Sequence, residues 1–150
     1  QPALSSAWHL RPRPRPRPRP RNAQLRASTT ENPGILDFQR LDVYQCAIRF
    51  LATVAPLVAA IPRGYASVTD QLKRASLSIP LNVAEGSGRR AGPDRARFFG
   101  IARGSAMECA AIVDVCATLG FGETARREEA ASLLERLVQM LSKMAKSEAS

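Results

Sequence analysis

The chain has one histidine, His9, and one tryptophan, Trp8, and both fall in its first ten residues. Everything after them is therefore without the side chain that most often shuttles protons near neutral pH and most often binds metals. Histidine-based acid–base catalysis and histidine metal centres are excluded from residues 35–150, as are helical ribonucleases that pair an arginine with a histidine a few positions on. Cysteine is scarce as well. Cys46, Cys109 and Cys116 make an odd count with no C-x-x-C pair, which argues against a disulfide framework or a zinc site. Each sits in an apolar helical pattern, where cysteine behaves as a small hydrophobe. No alternating apolar–polar run reads as a strand. No uninterrupted apolar run reaches the roughly 18 residues that span a bilayer, so no membrane association is expected. The N-terminus has no signal-peptide hydrophobic stretch. The chain begins with Gln1 rather than methionine, so its first residues read as a fragment or an upstream extension.

What is present is uneven. Residues 1–34 carry seven arginines (11, 13, 15, 17, 19, 21 and 26) against Glu31 alone, a net +6, so residues 35–150 hold only +3 of the chain's +9. The strong basicity is mostly that of the N-terminal segment. Its consecutive Arg-Pro dipeptides fix φ and remove backbone donors, so residues 1–34 are expected to be an extended, disordered tail. Such a tail either holds phosphates without sequence preference or is simply solvated.

From residue 35 to 147 the periodicity is helical, in four stretches. Leu41, Ile48, Leu51, Ala55 and Val58 form the first stripe, with Asp37 as a cap, Pro56 as a kink and Pro62 and Gly64 as a stop. Val68, Leu72, Ala75, Ile79 and Val83 form the second, over about Ser67–Ala84. This stripe keeps its phase across Pro80, which predicts one kinked helix ended by Gly86 and Gly88. Pro93 and Asp94 open the third helix. Its predicted face is Phe98, Ile101, Ser105, Cys109, Ile112, Cys116 and Leu119, closed by Gly120. Thr124 caps the fourth, whose stripe is Ala130, Leu133, Leu134, Leu137, Met140, Leu141 and Met144. Four helices joined by loops of about five residues predict an all-α, antiparallel up-down four-helix bundle.

The chemistry concentrates between Ser76 and Glu108. Gly86-Ser-Gly-Arg-Arg-Ala-Gly92 looks like a dinucleotide fingerprint, but that motif follows a strand and here a helix precedes it. The stretch reads instead as a tight interhelical turn whose amides and arginines suit an anion. Lys73, Arg74, Arg89, Arg90, Arg95 and Arg103 are the candidate nucleic-acid contacts. The competing reading pairs these bases with acids inside the bundle or across a subunit interface. No aromatic residue interleaves them, so base stacking is not indicated. Glu108 falls on the core-facing stripe of the third helix and is expected to be buried. It therefore needs a partner, with Asn82 or Arg89 and Arg90 as candidates. Glu85 lies beside Ser78 and near Leu81 on a mixed face that suits a subunit interface. Gly104-Ser105, mid-helix, lets a neighbouring helix approach. Two carboxylates without another catalytic group do not make an active site, so no catalytic residue, cofactor or metal is assigned.

The segment Leu72-Lys-Arg-Ala-Ser-Leu-Ser-Ile-Pro-Leu-Asn-Val-Ala-Glu-Gly-Ser-Gly-Arg carries a resemblance, together with Arg97-Phe, Ile101-Ala-Arg-Gly-Ser, Glu108, Leu119-Gly and Met140-Leu141. It resembles the four-helix bundle proteins encoded in intervening sequences of 23S ribosomal RNA genes, over about residues 36–147. The resemblance implies a cytoplasmic bacterial protein of antiparallel helices assembled as a ring, a homopentamer. It also implies kinship with the accessory variability determinant protein of diversity-generating retroelements, a basic pentamer that binds nucleic acid and a reverse transcriptase. Asn82, Glu85, Gly86, Gly88, Arg89, Gly104, Ser105 and Glu108 stand as signature positions rather than as a known active site. The sequence departs from the family at Ala91, where serine would cap the third helix. The function expected is that of a non-enzymatic oligomeric bundle binding RNA or DNA electrostatically. The alternative is a protein-interaction module with no nucleic-acid role.

Overall fold

The structure, a computed structural model, describes residues 36–149. The Arg-Pro segment, with Trp8 and His9, lies outside them. The chain divides after Pro33, and every described residue belongs to the second unit. A short 3-10 turn, Asp37–Arg40, leads into α1 (Asp42–Ala60), α2 (Ala66–Ser87), α3 (Pro93–Leu119) and α4 (Thr124–Ala149), with no strand among the described residues. Each helix packs on two others in the cyclic order α1, α2, α3, α4, and the diagonal pairs do not meet. Across α2 and α3 the pairs Gly86–Arg95 and Ser78–Ser105 run in opposite chain directions, as do Arg95–Glu148 and Arg103–Ser142 across α3 and α4, so this is an antiparallel four-helix bundle. One end gathers the α2–α3 turn, the start of α1 and the close of α4. The other gathers the α1–α2 and α3–α4 turns.

The apolar stripes of α2 and α4 lie where their periodicity puts them. Leu72, Ala75, Ile79 and Val83 face Leu133, Leu134, Leu137 and Leu141 in one core, all buried. Val68, Met140 and Met144 pack at its edge. The stripe of α1 is rotated. Val43, Cys46, Ala47, Phe50, Val54 and Leu57 are buried, while Ile48 is 41% exposed and Ala55 is open to solvent. The reason lies in composition: between Phe50 and Ile61 the sole polar residue is Thr53. An almost wholly apolar helix carries little phase information, so its neighbours choose the buried face. α1 is in fact long and apolar enough by length and composition to cross a membrane, although no uninterrupted run suggested it. Here its buried side packs against α2 and α4.

α3 is also rotated from its predicted face. Ser105, Cys109 and Cys116 are buried as expected, but Phe99, Ala102, Ala106 and Val113 complete the core, and Ile101 and Leu119 are 41% and 44% exposed. The apolar sector of α3 is wider than one interface needs. The predicted stripe ran along its edge, half inside the bundle and half outside.

Punctuation residues behave as proline and glycine chemistry requires, with two shifts. Asp37 opens the 3-10 turn instead of capping α1, whose N-cap is Leu41 without a side-chain bond. α2 passes through Pro80 as one helix and runs to Ser87. Gly86 is therefore not a stop but a buried residue of the last turn, and Gly88 caps it. A Cβ on Gly86 would lie 2.8 Å from Cε1 of Phe99, a ring only 2% exposed. Glycine is what lets α2 come this close to α3.

Replacing a helical glycine by alanine normally stabilises by about 0.5–1 kcal/mol. At Gly86 the added methyl instead overpacks the Phe99 contact, at a cost of roughly 1–3 kcal/mol. Urea unfolding should show Gly86→Ala less stable than the parent chain. Gly100→Ala, at an exposed position of α3 where a Cβ meets nothing within 4 Å, should be at least as stable as the parent.

Candidate nucleic-acid interface

The turn between α2 and α3, residues 88–92, is built by three devices. Gly92 takes φ 124, a backbone region that favours glycine, and serves as N-cap of α3 without a side chain. Pro93 follows at the first helical position, where its missing N–H costs nothing. Arg95 then reaches back: Nε donates to the Gly86 carbonyl and Nη2 to the Ser87 carbonyl, each at 3.2 Å. It thus ties off the carbonyl end of α2.

Glu148, in the last turn of α4, completes the joint. Its Oε1 accepts from Arg95 Nη1 at 3.2 Å and its Oε2 from the Gly92 amide at 3.0 Å. This is where the missing serine at Ala91 is made good. The positive end of α3 receives a carboxylate from α4 in place of a local cap. Arg95, one of the six cations assigned to a nucleic acid from the sequence, has its donors turned inward. Its role in the fold is to clamp three helices.

The other five are exposed. Arg89 pairs with Glu85 one turn back and stands 3.8 Å from Asp94. Both carboxylates are largely solvated, so these pairs hold the arginine loosely. Its guanidinium lies 5.1 Å from the centre of the Phe98 ring, and that of Arg97 lies 5.2 Å from the same ring. Arg90 is exposed on the turn. An aromatic ring therefore does interleave the basic residues, contrary to the sequence expectation. Arg97 and Phe98 were not assigned because Phe98 was placed in the core, and it is in fact half-buried. The signal was present as an Arg-Phe pair one turn into α3, but it needed the correct helix phase to be read. Lys73 and Arg74 lie further along α2, with Arg74 donating to Gln71. Arg103 donates to Ser142 on α4 at 2.9 Å, so it lies across the α3–α4 side and apart from the arginines around Phe98.

Gly86, Ser105 and Glu108 of the signature positions lie on the seam between α2 and α3. Asn82 Nδ2 donates to the Ser78 carbonyl at 2.8 Å and to Ser78 Oγ at 3.0 Å. Ser105 Oγ bonds Ser78 Oγ at 2.8 Å and donates to the Ile101 carbonyl. Glu108 is not in the core. It is half-buried and accepts from Gln71 rather than from Asn82 or the turn arginines. Gly104 is exposed, and a Cβ there would meet nothing within 4 Å. No helix among the described residues uses the space it leaves; the inward-facing Ser105 is the member of that pair that joins α2 to α3. No group of three metal-ligating side chains occurs among the described residues.

The three cysteines are free and buried. Burial raises all three thiols above their ordinary value, Cys109 most clearly. Loss of solvent, with a smaller contribution from the neighbouring Glu108 charge, pushes Cys109 up to about 12.

The fold and this surface define a small four-helix-bundle protein with a basic hairpin end. Residues 39–143 match the family of 23S rRNA-intervening sequence proteins, over more than half of the chain, and the chain belongs to that family. A comparison with curated proteins finds no match.

Glu148→Ala removes both bonds to the turn and should cost about 1–2 kcal/mol in urea unfolding, allowing for the pair's partial solvation. Arg90→Ala should stay within roughly 0.5 kcal/mol of the parent. The Cys109 thiolate is disfavoured in the folded protein, so Ellman's reagent at pH 8 should leave this thiol unreacted until urea unfolds the chain. The raised value also contributes stability that is complete below pH 9 and is lost as pH rises from 9 towards 12.

Proposed function

We propose that this protein is a non-enzymatic, self-associating scaffold that binds nucleic acid electrostatically at the hairpin end of its bundle. The observation that carries this reading is the pair Arg89 and Arg97 over the half-buried Phe98 ring, with Arg90 exposed on the adjoining turn. Guanidinium groups of this kind suit phosphates, and those lying over an aromatic face also suit unpaired bases. Charge along the bundle supports it. At the opposite end Asp70, Glu108, Asp114, Glu123, Glu128 and Glu129 nearly balance Arg63, Lys73, Arg74, Arg126 and Arg127, whereas at the hairpin end basic side chains are in the majority. A bundle with one basic end orients that end towards a polyanion before contact. The family's association with 23S ribosomal RNA genes agrees with a nucleic-acid partner. Lys73, Arg74 and Arg103 extend the basic surface along the bundle. Arg95 contributes by holding the turn.

Self-association rests on a separate surface. Leu77 and Leu81 project from α2 with 52% and 65% exposure, and Ile101 from α3 with 41%. The Ser78–Ser105 bond sets these two helical turns side by side. Leu77 also lines a groove with Leu51, Ala55 and Val58 of α1. An apolar surface continuous over three helices suits packing against further copies of the chain. The ring of five implied by the family resemblance, a cytoplasmic location and a reverse-transcriptase partner belong to the same reading. The alternative, a module that binds only protein, draws on this apolar surface alone.

Fluorescence anisotropy with a labelled RNA, using residues 35–150 to remove the arginine-rich segment, tests the reading. Binding should weaken steeply with salt, with a log–log slope of about −2 to −3 if three phosphates are neutralised. Arg89→Glu with Arg97→Glu should abolish it. Absence of salt-sensitive binding to RNA and to DNA, with a protein partner surviving nuclease treatment in pull-down, would instead establish the interaction module. Leu77→Glu with Leu81→Glu should convert the assembly to monomers in light scattering.

A further inference from the structure

We propose that the cleft at the hairpin end, beneath the 3-10 turn, binds an amphipathic organic monoanion: a flat apolar body bearing one carboxylate or sulfonate. The cleft measures about 470 Å³, within the size range of small-ligand sites. It is separate from the exposed arginines proposed to meet nucleic acid, and its case does not depend on them. Phe38, Leu41, Phe99 and Met144 supply apolar walls. Two of these are held in place before any ligand arrives. Tyr44 packs edge-on against Phe38 with ring centres 4.9 Å apart, and Phe99 is pinned by the α2 backbone at Gly86. Preformed apolar walls lower the ordering cost of binding.

The charges then specify the ligand. Four charged residues line the cleft: Asp37, Arg95, Lys143 and Glu148. Arg95 and Glu148 satisfy one another at 3.2 Å, so neither is free to select a ligand. Lys143 is exposed and has no hydrogen bond or ion pair among the described residues. It is the cation left to meet an anionic head group beside an apolar wall. Asp37, also exposed on the rim, repels a second negative charge. That favours a monoanion over a phosphate monoester. An apolar body on aromatic walls, anchored by one unpaired ammonium, is the usual division of labour in a small-molecule site.

The probe is 8-anilinonaphthalene-1-sulfonate, titrated by fluorescence into the full chain below its thermal transition. One saturable site per chain is expected. Lys143→Glu should weaken it by about tenfold or more, and Ser147→Trp, which fills the cleft, should remove it. Far-UV circular dichroism melts of both variants, which alter exposed positions, should match the parent. 2-Naphthoate should displace the probe and neutral 2-naphthol at the same concentration should not. The proposal is overturned by the absence of a saturable site, by variants that bind as the parent does, or by equal displacement by naphthol.

Discussion

The close approach of α2 to α3 at Gly86 is the constraint on which the rest of the bundle depends. A helix carrying a methyl at that position would stand further from the Phe99 ring. The shift would reach the whole seam, because Ser105 bonds across it to Ser78, which Asn82 holds from within α2, only at short range. It would also reach the turn, because Arg95 spans from α3 to the Gly86 and Ser87 carbonyls. One missing side chain thus sets the spacing at which polar bonding, aromatic packing and helix capping are all satisfied together. Interiors packed at crystal density transmit such displacements rather than absorb them.

Elements with polar faces were legible in the sequence, and those without were not. α2 and α4 have charged residues on one side, so their stripes were assigned correctly through Ile79, Val83, Leu134 and Leu141. α1 has almost no polar side over its second half and α3 is apolar over a wide arc, so spacing alone chose the wrong centre in each. That error spread to the site. It put Phe98 in the core, hiding the ring between Arg89 and Arg97, and it put Glu108 in the core, giving it a partner it does not have. The turn itself was read well from Gly88, Pro93 and Asp94. Glu148 was invisible for a different reason. Its partners, Gly92 and Arg95, lie more than fifty positions away, and no local pattern links them.

The same end of the molecule holds three differently used sets of charge. Arg95 and Glu148 are bound to the fold. Arg89, Arg90 and Arg97 are held loosely and face solvent. Lys143 stands beside an apolar cleft. Charge in a bundle of modest net charge is therefore not interchangeable, and each cation's neighbours, more than the total, decide what it can meet.

The Glu148 contact also imposes an order on assembly. The α2–α3 hairpin has its turn and its seam as soon as α3 is made, but the amide of Gly92 and one arm of Arg95 wait for a carboxylate near the end of α4. During vectorial synthesis the hairpin end stays incompletely bonded while α4 is still emerging. The fourth helix thus acts as the latch of a joint formed between the two before it.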